Sequence, residues 1–219
     1  MRVWLAALLL AAAPAWAAPF AVPIGGTRIG LDAPAGFADT GFTGSPRLQQ
    51  IAESLTSASN VILLFAISDD DLHRFMQGDR PLLRRFMIAV TPRALANQSV
   101  TTRQFDAFVG DALRGLGAPP EGGDMLEHLD AQPRGKTSLL GELRRETTVV
   151  SVLQGTRLPD QGGFGEKPEY LLSTTTLLNL RGKALSLSVY SHYESPEDLR
   201  WLRLVTARWI EKLERLNAR

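Results

Sequence analysis

Apolar and polar residues follow two different periods along this chain, and each period predicts a different element. The segment 60–68 (NVILLFAIS) is apolar almost throughout, which favours a central strand with both faces covered. The segment 184–193 alternates apolar residues with serines and other polar residues, as expected of a strand with one buried face. Apolar residues recur every three or four positions in 105–116 and 199–216, which predicts two helices.

Turn and capping residues set the limits of further elements. Gly25-Gly26 separates two short apolar runs and predicts a hairpin. Three helix starts are indicated by a capping Ser or Thr: Ser45-Pro46, Thr101 with Gln104, and Ser195-Pro196. Together these patterns predict strands at 20–24, 27–31, 60–68, 85–91, 142–153, 169–180 and 184–193, and helices at 45–58, 69–76, 101–115 and 195–216.

Two connecting segments are rich in turn-forming residues. Residues 34–37 are predicted to turn the chain out of the sheet, and the glycine-rich segment 154–167 is the longest predicted loop. No internal repeat or interdomain linker is visible. The sequence therefore predicts a single α+β domain over residues 18–219: a mainly antiparallel sheet of six or seven strands, covered by helices that include a long C-terminal one.

The N-terminal residues 1–17 have the pattern of a secretory signal peptide. Arg2 precedes the apolar run 3–13, and Ala15-Trp16-Ala17 is a cleavage signal that predicts a mature chain starting at Ala18. The alternative is an uncleaved membrane anchor, because no charged residue occurs from Val3 to Ile24, although three prolines interrupt that span. We expect a periplasmic protein without a membrane span after cleavage. Secretion, or anchoring by an uncleaved helix, is the alternative.

Composition narrows the classes of partner. The chain has 24 basic and 23 acidic residues, and removal of Arg2 leaves the two balanced, which argues against a nucleic-acid partner. Cysteine is absent, so the fold contains no disulfide and no thiolate chemistry. The leader, the alanine and arginine content and the lack of cysteine suggest a Gram-negative envelope. We expect no cofactor and no metal.

The candidate chemistry lies near the end of the last predicted strand. Tyr190, His192 and Glu194 project from one side of it, an arrangement that suggests a small-ligand carrier or a hydrolase. No G-x-S-x-G motif accompanies them. His73 lies beside the acidic run 69–71, where a carboxylate-oriented imidazole or a small metal site is the alternative, but we interpret these aspartates as helix-capping and first-turn residues and His73 as exposed. His128 has no second histidine one turn further on and is interpreted as a surface residue.

Two further features are candidate binding elements. Gly162-Gly163-Phe164 lies in the long loop and looks superficially like a phosphate loop, but Pro168 and a predicted strand follow where a helix is needed. The loop is interpreted either as a flexible hairpin connection or as an interaction site, since loops of this length often bind partners. Trp201 lies about 80° from the buried stripe position Trp209 on the last helix. It either caps the core or forms part of a docking surface.

Both ends of the mature chain resemble a known fold family. The segments 29–37 (IGLDAPAGF) and 182–189 (GKALSLSV), the latter followed by the terminal helix, resemble the Mog1/PsbP-like α/β sandwich. That resemblance implies a noncatalytic adaptor or accessory subunit, and it transfers no functional residue. The leading hypothesis is a noncatalytic envelope protein that binds a protein partner or supports an assembly. The alternative is the carrier or hydrolase built on Tyr190, His192 and Glu194.

Overall fold

The computed structural model describes residues 19–122, 124–159 and 168–218. The predicted leader, residues 1–17, and the candidate loop residues Gly162, Gly163 and Phe164 lie outside the described residues, so these predictions remain predictions. Among the helices of the described segments, none has the length and apolar character needed to cross a membrane.

The fold is α+β and is built around one antiparallel sheet, as predicted. Seven strands follow one another in the order β3-β4-β5-β9-β8-β7-β6, while β1 and β2 pair separately as a hairpin. The strands are β1 (Phe20–Ile24), β2 (Thr27–Leu31), β3 (Phe37–Asp39), β4 (Asn60–Ser68), β5 (Arg85–Pro92), β6 (Thr137–Glu146), β7 (Val149–Arg157), β8 (Tyr170–Leu180) and β9 (Lys183–His192).

In the described segments, six α-helices cover the sheet on both sides. They are α1 (Pro46–Ser54), α2 (Asp69–Met76), α3 (Arg93–Ala96), α4 (Thr102–Leu113), α5 (Met125–Asp130) and α6 (Pro196–Leu216), and a short 3₁₀ turn spans Gly41–Thr43. The long helix α6 packs Leu202, Trp209 and Leu213 on one face, where the β1–β2 hairpin joins the same core. Helices α1 and α2 cover β4 and β5 on the other face, and α4 covers β7 and β8 there.

The predicted strand 142–153 is wrong. Two strands, β6 and β7, replace it, and they are joined by a turn at Thr147-Thr148. Periodicity missed the turn because two threonines are not a typical turn pair and both flanks favour extended backbone.

The predicted loop that starts at residue 154 is corrected as well, since β7 continues to Arg157. Gly155 indicated a loop, yet it lies inside the strand because a Cβ atom there would come within 2.8 Å of the Leu129 side chain. Close packing, not a turn, accounts for this glycine.

The segment around Phe37 also differs from the prediction. Residues 34–37 were expected to leave the sheet, but β3 pairs with the last three residues of β4, Phe37 lying opposite Ser68 and Asp39 opposite Ala66. Strand β3 then ends, and Thr40 makes the final contacts: its N–H and its hydroxyl both donate to the Phe65 carbonyl, at 2.8 Å and 3.0 Å. Beyond this point no strand in the described part of the chain neighbours the outer edge of β4.

Candidate functional site

A charged cleft of about 390 Å³ lies where α2, the start of β5 and the end of β9 meet. His192 and Glu194 line it, as do the arginines Arg84 and Arg85. Arg84 pairs with Glu194 at 2.5 Å, although both side chains are about two-thirds exposed. An ion pair as exposed as this one contributes little to stability. It lies at the rim of the cleft and does not hold the cleft together.

Tyr190 does not line this cleft. Its ring stacks on Phe86 with centroids 4.6 Å apart and an angle of 13° between the planes. Burial raises the pKa of the Tyr190 hydroxyl, and a hydrogen bond with Ser188 offsets only part of this increase. The structure therefore brings His192 and Glu194 to one cleft, while Tyr190 packs under the helices of the neighbouring core.

Trp201 lies at the edge of the core on α6. The Arg85 guanidinium covers its ring at 4.2 Å from the centroid, and the Phe37 ring lies 5.9 Å away. Arg85 also donates to Asp198 at 2.7 Å. Burial acts to raise the pKa of Asp198, but hydrogen bonds from Arg85 and from the N–H groups of Glu194 and Ser195 outweigh it, so this pKa is lowered. Trp201 is thus held between Phe37 and a fixed arginine.

The larger concavity is a groove of about 590 Å³ between α1 and the outer edge of β4. Ile62 and Phe65, which pack with α1, contribute apolar floor, and polar side chains of α1 and the following turn form the opposite wall. We call this feature the α1/β4 groove. Phe42 stands next to its Gly41 and Gly44 rim with 71% of its surface exposed.

Two pairings show which backbone groups face this groove. The Arg93 N–H donates to the Ser59 carbonyl at 2.9 Å, so Ser59 faces β5. Alternation along the strand then turns the N–H and C=O of Ile62 to the outer side, consistent with its position opposite Val90. No neighbouring strand reaches these groups within the described residues. The groove therefore offers free strand-edge hydrogen bonds as well as apolar surface.

The charges of the α1/β4 groove lie near its two ends. Asp39 lies where β3 stops, and its carboxylate accepts from the Gly41 N–H at 3.0 Å. Burial raises the pKa of Asp39 despite this bond and another with the backbone of Phe65. Arg93 lies at the opposite end, where its Nε donates to the Ala58 carbonyl at 2.9 Å. Neither Asp39 nor Arg93 forms an ion pair with a described residue.

The raised pKa of Asp39 makes a testable prediction about stability. An acid whose pKa is higher in the folded state destabilises the fold once pH rises above its unfolded value, close to 3.8 here. We therefore expect Asp39→Asn to increase the free energy of unfolding at pH 7, and to have a much smaller effect below pH 3.8. Urea unfolding at pH 3.5 and pH 7 tests this. A gain of equal size at both values would contradict it.

The groove was not among the predicted sites, because it exists only where β3 stops short of covering β4. The local signal was the Gly41-Phe42-Thr43-Gly44 turn, an exposed aromatic between two glycines, which marks the point where the chain leaves the sheet. As for metals, no group of three His, Asp or Glu side chains is close enough to hold an ion in the part of the chain that the structure describes.

Comparison with known proteins returns a loose likeness of fold. No family model and no curated protein matches the sequence. Two solved structures are similar: the Saccharomyces cerevisiae Ran-binding protein Mog1p and a mutant of protein Mog1. Both are 14% identical over 92% of this chain and 93% of theirs, with TM-scores of 0.39 and 0.40. The Mog1/PsbP-like resemblance is thus found again at the level of the fold, and no function follows from it.

Proposed function

We propose that this chain is an exported, noncatalytic protein-binding module of the bacterial envelope, which holds a partner protein or stabilises an assembly. The observation that carries the binding role is the α1/β4 groove, with its apolar floor and its free strand edge. Exposed Phe42 follows the lining residue Gly41 and is an aromatic side chain of the kind enriched at protein interfaces. The envelope location rests on the sequence pattern of residues 1–17.

The shape of the groove favours a protein over a small molecule. Small-ligand sites are mostly enclosed and gather a few convergent polar groups. Here the concavity runs along a strand and a helix, and the polar groups on offer include the backbone N–H and C=O of Ile62. Unpaired backbone groups at a strand edge are a template for another polypeptide.

The charged cleft gives less support to the carrier or hydrolase alternative. Arg84 and Arg85 are engaged with Glu194 and Asp198, so the cleft already neutralises much of its own charge. His192 shares the cleft with Glu194 but not with Tyr190. The carrier or hydrolase alternative can be tested directly. Substrate turnover that is lost in His192→Ala would favour this alternative over the binding role.

Site-specific photo-crosslinking in cells tests the binding role. A photoreactive residue replaces Glu53, an exposed residue that lines the groove, and a matched control replaces Leu204, which is 50% exposed on α6. We expect one exported protein to be captured from position 53 and not from position 204. Capture of the same proteins from both positions, or of none from position 53, would contradict a binding role for this groove.

The export part of the proposal has a separate test. Cell fractionation should recover the protein in the periplasm, and intact mass measurement should show a chain that begins at Ala18. Recovery of the full-length chain in the cytoplasm would overturn the export part and leave the groove untouched.

A further inference from the structure

Strand β4 extends well past its outer neighbour. Strand β3 covers only Ala66–Ser68, and Thr40 reaches Phe65, so no strand of the described segments lies on the outer side of residues 60–64. The chain does not run on along this edge, because the Gly41–Thr43 turn diverts it into α1. The edge, the turn and α1 together leave a strand-shaped space between a sheet and a helix.

We propose that the α1/β4 groove binds an extended peptide segment by strand addition. The segment runs antiparallel to β4, with a basic side chain near its N-terminal end beside Asp39 and a carboxylate near its C-terminal end beside Arg93. This inference rests on the proposed function, for which it names the class of partner and the mode of binding. Recognition of this kind takes affinity from main-chain hydrogen bonds and specificity from alternate side chains.

The sheet determines the order in which an antiparallel segment meets the two charges. Strand β3 runs antiparallel to β4 and ends at Asp39, so a segment that continued its line would pass Ile62 and reach Asn60. Asn60 lies opposite Pro92, which places the following residue, Arg93, at that end. An antiparallel segment therefore meets Asp39 first and Arg93 last.

Charge complementarity selects the chemistry of the partner. Asp39 and Arg93 lie at opposite ends of one groove, and each is hydrogen-bonded to backbone but forms no ion pair with a described residue, so each is available to a charge of the opposite sign. Retaining Asp39 costs stability, since burial raises its pKa. A residue kept at such a cost is typical of a binding site, where stability is exchanged for function.

The β-bulge in β4 limits what can pair there. The register shifts between Ile62 and Leu64, so the outer edge does not present a long regular ladder. Bulges of this kind protect edges from indiscriminate pairing. A short segment with one well-placed pairing at Ile62 suits this edge better than a second copy of the chain.

The test uses the mature chain, residues 18–219, and three synthetic peptides. The first is fluorescein-labelled Lys-Thr-Val-Thr-Val-Thr-Val-Asp. The second reverses the two charged ends, and the third carries N-methyl groups on alternate backbone amides.

We expect the first peptide to bind in fluorescence anisotropy. Reversal should weaken binding about fivefold, as two partly exposed charge pairs allow, and N-methylation about tenfold or more. An amidated form of the first peptide lacks the terminal carboxylate, so its binding reports the contribution of the aspartate side chain alone.

Two variants connect binding to the edge and to the charges. Ile62→Pro removes an outward N–H without removing a β4–β5 hydrogen bond, and it should abolish binding of the first peptide. Arg93→Glu makes both ends of the groove acidic, so the first and second peptides each gain one favourable and one unfavourable end, and the preference between them should disappear. Arg103→Glu, the same charge change on exposed α4, should leave the preference unchanged. Circular dichroism checks the fold of Ile62→Pro, and Arg93→Glu tests the proposal independently of that variant.

The outcomes separate this inference from the proposed function. Strand addition is overturned if the N-methylated peptide binds as well as the first, or if Arg93→Glu leaves the charge preference unchanged. It is also overturned if sedimentation shows a dimer that Ile62→Pro dissociates, because the edge would then serve a second copy. Capture of a partner at position 53 together with failure of all peptides leaves the proposed function standing and removes this mode of binding.

Discussion

Lys212→Met is expected to lower the free energy of unfolding by about 3 kcal/mol, because it strands a buried carboxylate. Asp32 is fully buried after β2 and forms an ion pair with the Lys212 ammonium on α6. Neither carboxylate oxygen of Asp32 accepts any other hydrogen bond from the described residues. Methionine keeps the apolar length of the side chain and removes only the charge. Urea unfolding at pH 7 measures the difference.

Two controls isolate the ion pair. Lys136→Met makes the same chemical change at an exposed position and should alter stability by less than about 0.5 kcal/mol. Asp32→Asn in the Lys212→Met background removes the stranded charge and should restore part of the loss. If Lys212→Met is no more destabilising than Lys136→Met, the carboxylate does not depend on Lys212.

This ion pair shows how α6 is attached to the hairpin. The Trp209 indole donates to the Asp32 carbonyl at 2.7 Å, one helical turn before Lys212. At the end of the helix, Asn217 exchanges hydrogen bonds with the backbone of Gly30, accepting at 2.8 Å and donating at 2.9 Å. The separate β1–β2 hairpin is therefore fixed to α6 by polar contacts at several points, in addition to their shared core.

The sequence predicted the elements whose limits are marked by local chemistry. The caps at Ser45 and Thr101 and the alternation in β9 are satisfied within a few residues of chain, so the pattern alone locates them. Strand β3 and the turn between β6 and β7 were missed, because three residues are too few to show a period and Thr147-Thr148 has no turn signature.

The candidate site was less predictable than the fold for a related reason. Period-2 alternation placed Tyr190 and His192 on one face, but only packing shows that Tyr190 stacks on Phe86 while His192 lies at the open cleft. The α1/β4 groove depends on the difference in length between β3 and β4. Which strand edge stays open is a property of the pairing between distant segments, and no short stretch of sequence contains it.

Gly25→Ala is expected to destabilise the protein by about 3 kcal/mol, although alanine adds one methyl group. The hairpin turn at Gly25-Gly26 was predicted from its need for positive φ, and the structure confirms φ of +50° at Gly25. It adds a steric reason that the sequence did not show. A Cβ atom at Gly25 would lie 2.2 Å from the Ala96 carbonyl oxygen and 2.9 Å from the Lys183 ammonium.

The loss at Gly25 combines two effects that a matched variant separates. Left-handed backbone costs a non-glycine residue about 1–2 kcal/mol, and overpacking against fixed backbone adds about 1–3 kcal/mol. Gly26 has φ of +82° with nothing within 4 Å of its Cβ position, so Gly26→Ala carries only the first effect and should cost about 1 kcal/mol. Thermal and urea unfolding of both variants measure the difference. Equal losses would mean that the hairpin does not press on the Ala96 backbone, because only Gly25→Ala forces that contact.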